Sequence, residues 1–321
     1  MATGADHLDA LRDRFVGCML GLMLGDAACA PFEGTPATAI WYDFGGARKI
    51  LANHPVAELT YTDDTQMMIG VAESLVEHGT IDPDALMRTF AANFDPMRSY
   101  GPGARRVIET MRSGGDWRRA ATETYPGGSL GNGAAMRVAP VGLLFCDDLD
   151  RVCAEAERSA LPTHTHPIGI DGARVLAVAV ALAVTTDRTK PLDVGAFYVE
   201  LIRRARTDEF RTQLRRAAEL SPDDSVGEFG NRLEANRSVT TAIACFTMSP
   251  RSYVATIASA LCLGGDVDTL AAMAGAISGA YLGVGALPAN LLEKVEDGAK
   301  GRSYVRDLAE RLHHARSRQD Q

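Results

Sequence analysis

Residues 260–283 read ALCLGGDVDTLAAMAGAISGAYLG, and most of the fold class follows from them. Two aspartates, Asp266 and Asp268, sit between flanks that are otherwise small and apolar. Such flanks read as closely packed core helices, 252–263 before the glycines and 268–282 after them. Positions i and i+2 point to nearly opposite sides of a regular helix, so the two acids converge only at a loop-to-helix junction. Gly264 and Gly265 supply the permissive backbone for that junction.

The same logic extends toward the N-terminus. Thr62-Asp63-Asp64-Thr65 lies at the start of a second apolar run through Met67, Met68, Val71, Leu75 and Val76, with Gly79 as the expected C-cap. Leu8, Leu11, Phe15, Met19 and Leu22 recur at helical spacing and lead into GDAACAPFEG, which holds Asp26 and Glu33. Further helices are expected at 84–94, 102–113, 148–160, 167–184, 192–219, 234–246 and 302–317. PVGLLF at 140–145 fits a buried helix as well as a strand, and a polar connection is expected up to about Pro55. One mainly α-helical domain over residues 1–321 accounts for these elements.

Composition agrees. The chain has 321 residues and aromatics are only 6%, which favours close helices over a β-sandwich. A formal net charge of −8 argues against a general nucleic-acid surface. The six cysteines form no CxxC pair and read as buried thiols of a reducing, cytoplasmic setting. The polar N-terminus is no signal peptide, and apolar runs such as Val175 to Val184 are too short for a bilayer, so no membrane partner is expected.

What gives the acids meaning is the absence of cations around them. No lysine or arginine occurs from Phe15 to Ala47, from Ile50 to Met87, or from Ser252 to Glu293. Buried carboxylates without a local cation are costly unless paired, protonated or metal-bound. Oxygen-only ligands select magnesium, manganese or calcium over zinc. Helix capping competes with metal binding for either motif alone, since Thr or Asp at a helix start is good capping chemistry. Both motifs together, each in core-like surroundings, favour the metal.

YTDDTQM at 61–67 and GGDVDTLAAMAGAISGAYLG at 264–283 resemble the ADP-ribosylglycohydrolase family. So do FVGCMLGLMLGDAACAPFEG near the start, GSLGNGAAMRVAPVG at 128–142 and THTHPIGIDGA at 163–173, in the family's order. The resemblance implies an all-α, single compact orthogonal multi-helix domain whose central cleft holds two divalent cations, Mg2+ or Mn2+. It implies Thr62, Asp63, Asp64, Asp266, Asp268 and Thr269 as metal ligands and Glu33 as a mobile acid beside them. Asp26 is read as a buried structural acid. Asp63 or Asp64 is expected to orient the attacking water, with Glu33 as candidate general base. Ser129, Gly131 and Asn132 are expected to contact ADP-ribose, Tyr100, Gly101 and Gly103 to form a second rim, and His164 to line the cleft. His166, ahead of Pro167, reads as structural.

The expected reaction is hydrolysis of the bond between ADP-ribose and an acceptor: arginine, serine, a nucleic-acid base or a small metabolite. Arginine-type relatives carry an acid near Gly101, and its absence here speaks against an arginine-specific enzyme. Two other classes share parts of this pattern. An all-α prenyl-diphosphate synthase would need an acid where Met67 stands and an aromatic cleft. A non-catalytic ADP-ribose binder would lose metal ligands, yet all the expected acids are present. Oligomeric state is not legible.

Overall fold

The computed structural model describes residues 4–221 and 224–319, with side chains from residue 10 to 318; Leu8 of the first helical pattern lies outside the described side chains. The chain runs α1 (Gly4–Cys29), α2 (Ala37–Tyr42), α3 (Ala47–Ala52), α4 (Asp63–His78), α5 (Pro83–Asn93) and α6 (Pro102–Arg112). It continues through α7 (Trp117–Glu123), α8 (Ala139–Leu144), α9 (Leu149–Ala160), α10 (Pro167–Thr185), α11 (Val194–Arg204) and α12 (Asp208–Ala218). It ends with α13 (Ala235–Met248), α14 (Tyr253–Leu261), α15 (Val267–Leu282), α16 (Ala289–Leu292) and α17 (Arg302–Gln319). The described residues form no sheet, only three isolated bridges.

The centre of the molecule is the pair α1 and α15, and small residues bring their backbones together. A Cβ on Gly21 would lie 2.5 Å from the Gly275 carbonyl oxygen, and one on Gly17 2.6 Å from that of Gly279. Tyr253 from α14 closes the contact by donating its hydroxyl to the Gly21 carbonyl at 2.6 Å. Leu11, Phe15, Met19 and Leu22 are all buried on α1. This close approach sets the starting point of α15 against the far end of α1, and so fixes Asp266 and Asp268 relative to Asp26 and Glu33.

Several sequence expectations need correction. The polar connection before Pro55 contains two short helices, α2 and α3. PVGLLF, for which helix and strand were both open, takes the helical option, in α8 through Leu144 with Phe145 at its C-cap. The stretch 192–219 is two helices, because Asp171 captures the backbone N–H groups of Arg206 and Thr207 (3.0 and 2.8 Å) and Thr207 caps α12. The length argument against a membrane span also fails as stated. Ala10–Phe32 and Pro167–Thr185 have the length and hydropathy of a span, but 89% and 78% of their apolar windows are buried inside the fold. They are core helices.

Candidate metal and ADP-ribose site

Two helix starts face each other. Thr62 is extended and caps α4, its hydroxyl oxygen accepting from the Asp64 N–H at 3.3 Å. Asp26, fully buried on α1, gathers the N–H and O–H groups of Thr62 and Thr65 at 2.5–3.1 Å. Its oxygens are thereby occupied in holding the α4 start in place.

On the facing side, Gly264 and Gly265 both have positive φ (66° and 75°). The turn they make is stitched to the segment after Glu33: Gly34 N–H donates to the Gly265 carbonyl at 2.8 Å and Gly265 N–H to that of Thr35 at 3.1 Å. A Cβ at Gly264 would meet the Thr35 carbonyl oxygen and the Ala37 nitrogen at 2.5 Å, so only glycine fits. Asp266 then stands at the N-cap of α15 without its carboxylate accepting a backbone N–H of that helix. It accepts instead from the Asn132 amide at 2.7 Å.

The carboxylates converge. Asp26, Asp64 and Asp268 bring ligand atoms within 4.8 Å of one another, and Glu33, Asp266 and Asp268 do the same. Thr269 places its hydroxyl 3.5 Å from Asp64. Asp63 lines the adjoining cavity and accepts the Gly101 N–H. Burial pushes the carboxyls of Asp63, Asp64 and Asp268 well above their usual range, and neighbouring acids push them further. Glu33 is exposed, and partial desolvation with Asp266 nearby raises it too.

This charge lacks a partner. Asp64 Oδ2 and Asp268 Oδ1 are buried and meet no donor. Arg137 is the one Lys or Arg side chain among the described residues lining the cavity, and it is spent on carbonyls: Ser159 at 2.9 Å and Gly133 at 3.3 Å. Orphaned, hard oxygen atoms around a small space are the donor set of a hard divalent cation. The residues present therefore fit a metal centre.

The third wall is the glycine-rich loop. Gly128 has φ 88°, and a Cβ there would lie 2.5 Å from the His166 nitrogen. Ser129 Oγ accepts from Gly131 N–H at 3.3 Å, and Asn132 N–H donates to the Leu233 carbonyl at 2.8 Å. His164 lies beneath Gly131 and Gly133, its Nδ1 bonded to the Thr163 hydroxyl at 2.7 Å. Burial, with Arg137 adding to it, drives His164 down to about 3, so the ring is neutral. His166 caps α10, accepting from Ile168 N–H at 3.1 Å.

Ser129, Gly131, Asn132, His164, Gly101 and Gly103 all line the cavity. Tyr100 does not. Its side chain turns into the core, where the hydroxyl donates to Gln66 at 2.8 Å and the ring packs on Phe94. It supports the rim from behind, while Gly101 and Gly103 face the cavity.

Sequence reasoning missed Arg137 and the Arg98–Glu296 pair. Arg98 stacks 3.7 Å over the Tyr61 ring and donates to the Tyr61 carbonyl, while Glu296 accepts the Tyr61 N–H at 3.0 Å. Together they anchor the chain entering Thr62. The partners lie 198 residues apart, and no spacing rule links them. Arg137 stands inside GAAMRVAP as a cation within an apolar run, which is itself a sequence signal of burial.

The family profile described as ADP-ribosylglycohydrolase matches residues 7–321. The chain belongs to the ADP-ribosylglycohydrolase family. It is 31% identical to the zebrafish (Danio rerio) ADP-ribosylhydrolase ARH3, over 94% of this chain and 90% of that one. Human ADP-ribosylhydrolase ARH3 is also 31% identical, with 94% and 93% covered. An uncharacterised Archaeoglobus fulgidus protein reaches 32%, with 94% and 97% covered. Among solved structures, a chain from an ADP-ribosylglycohydrolase-related protein complex superposes with a TM-score of 0.70 at 25% identity, covering 96% of this chain and 99% of that one. Within this ADP-ribosylglycohydrolase, Met67 is wholly buried where a prenyl synthase would need its last acid.

Proposed function

We propose that the chain hydrolyses the glycosidic bond between ADP-ribose and an acceptor, a protein side chain or a small-molecule conjugate, with two Mg2+ or Mn2+ ions bound. One observation carries the reading: Asp268, which clusters with Asp64 and like it keeps an orphaned carboxylate oxygen, lines a cavity together with Asp63, Asp266 and the glycine-rich residues Ser129, Gly131, Asn132 and Gly133. Thr62, Asp63, Asp64, Asp266, Asp268 and Thr269 would hold the ions. When bound, the ions neutralise these acids and lower the pKa of a water near the ribose.

The chain's own residues do the rest. Glycine-bearing backbone from Ser129 to Gly133 approaches the diphosphate closely. Neutral His164 beneath it offers a hydrogen bond without adding charge. Asp63 or Asp64 orients the attacking water, and Glu33, whose raised pKa brings it toward the working pH, takes its proton. The bond to the acceptor breaks through an oxocarbenium-like transition state as the water oxygen joins the anomeric carbon, and the departing acceptor atom takes up the proton that Glu33 removed from the water.

Release of free ADP-ribose from ADP-ribosylarginine and ADP-ribosylserine peptides, with magnesium, manganese or EDTA, tests this. EDTA-sensitive release supports the reading and names the linkage. Failure of purified protein to bind ADP-ribose with either metal sinks it. Asp63→Ala and Asp268→Ala should be inactive while folded, and near-wild-type turnover in either rejects these ligand roles.

A further inference from the structure

A second, open cavity of about 410 Å³ adjoins the one just described. The two share Glu33, Leu233 and Asp266, which form the partition between them. Its own walls are Gly34 and Gly265 on one side and Asn231, Arg232 and Glu234 on the other. The walls are fixed: Asp266 N–H donates to the Asn231 carbonyl at 3.2 Å, and the Asn231 amide donates to the carbonyls of Leu263 and Gly264 at 2.8 Å. On the other side, Ala235 N–H donates to the Leu130 carbonyl at 3.0 Å, tying this segment to the glycine-rich loop.

The proposal that follows rests on the hydrolase reading. ADP-ribose occupies the first cavity with its diphosphate at residues 129–133, so its ribose ends at the carboxylates of the partition. The second cavity begins where the scissile bond would lie. We infer that it receives the acceptor, and that Arg232 selects peptides carrying an acidic side chain beside the modified residue.

Three observations favour an acidic peptide. Arg232 is exposed at the edge of this cavity and pairs with no carboxylate among the described residues. Leu233 beside it is 65% exposed, an apolar contact for a peptide side chain. A nucleic-acid acceptor fits poorly, since tracking a polyanion takes several cations and this cavity offers one among Glu33, Glu234 and Asp266.

Two ADP-ribosylserine peptides, identical except for aspartate or lysine flanking the serine, provide the test. Wild-type protein should show a KM about three- to fivefold lower for the aspartate peptide, the scale of an exposed ion pair, with similar kcat. Arg232→Glu should invert that preference and Arg232→Gln should level it, with thermal melts matching wild type. An unchanged KM ratio in Arg232→Glu overturns the proposal. So does ADP-ribose binding without release from either peptide, which leaves the family's ligand site standing; absence of ADP-ribose binding overturns both readings.

Discussion

Asp268 is 4% exposed on one helix start and Asp64 1% on the other, and each keeps a carboxylate oxygen without a donor. Asp268→Asn keeps the volume and removes one of the repelling charges. Without metal its Tm should rise above wild type. With metal the ligand-induced Tm shift should shrink, and turnover should fall by about a thousandfold or more, the scale of losing a principal electrostatic group. Differential scanning fluorimetry with and without magnesium reads both effects, and a metal shift equal to wild type rejects Asp268 as a ligand. Arg137 behaves differently. Arg137→Met leaves the Gly133 and Ser159 carbonyls without their donor, at about 1–3 kcal/mol for each acceptor left buried. Relief of the guanidinium's own burial, which holds it down to about 9, offsets part of that. A net loss in urea unfolding, with weakened ADP-ribose binding by calorimetry, is the expected result.

The packing of α1 on α15 explains why glycine recurs at Gly17, Gly21, Gly275 and Gly279. Gly21→Ala would push a methyl group to 2.5 Å from a backbone carbonyl that cannot swing aside. The expected cost is about 1–3 kcal/mol or more, the range of overpacked cores. Because α15 carries Asp266 and Asp268 at its start, the same change should lower metal affinity, measured by titration calorimetry. Much at this scale was legible: α4, α14 and α15 lie where apolar periodicity, Thr62, Gly79 and the Gly264-Gly265 pair put them. What was missed has a common cause. The break after Arg204 is made by Asp171, and α2 and α3 are short helices without a strong apolar stripe, set by contacts distant in sequence. Local pattern carries local structure; it does not carry a hydrogen bond to a residue 35 positions away. The candidate site follows the same divide, since its acids announced themselves by cation-free surroundings while Arg98, Glu296 and Arg232 did not.

For the molecule as a whole, the acidic centre links folding, protons and metal. Burial raises Asp26 to about 6 and carries Asp63, Asp64 and Asp268 well above the usual carboxylate range. An acid whose folded pKa exceeds its unfolded value binds its proton more tightly in the native state. Its stabilisation is therefore complete below the unfolded value near 4 and is lost as pH climbs through the folded value. For Asp26 that window runs from about 4 to about 6, and the other three extend it upward. His164, held neutral, works in the opposite sense, losing stability as pH falls from its unfolded value of 6.5 toward about 3. Several acids outweigh this imidazole and that of His54, which burial also lowers, so the metal-free protein should melt at a higher temperature at pH 5 than at pH 8. Divalent cations compete with those protons for the same oxygens. Saturating magnesium should then raise the Tm more at pH 8 than at pH 5, and thermal melts at the two pH values with magnesium or EDTA measure the difference. Equal metal-induced shifts at both pH values would mean that the cation binds away from these carboxylates.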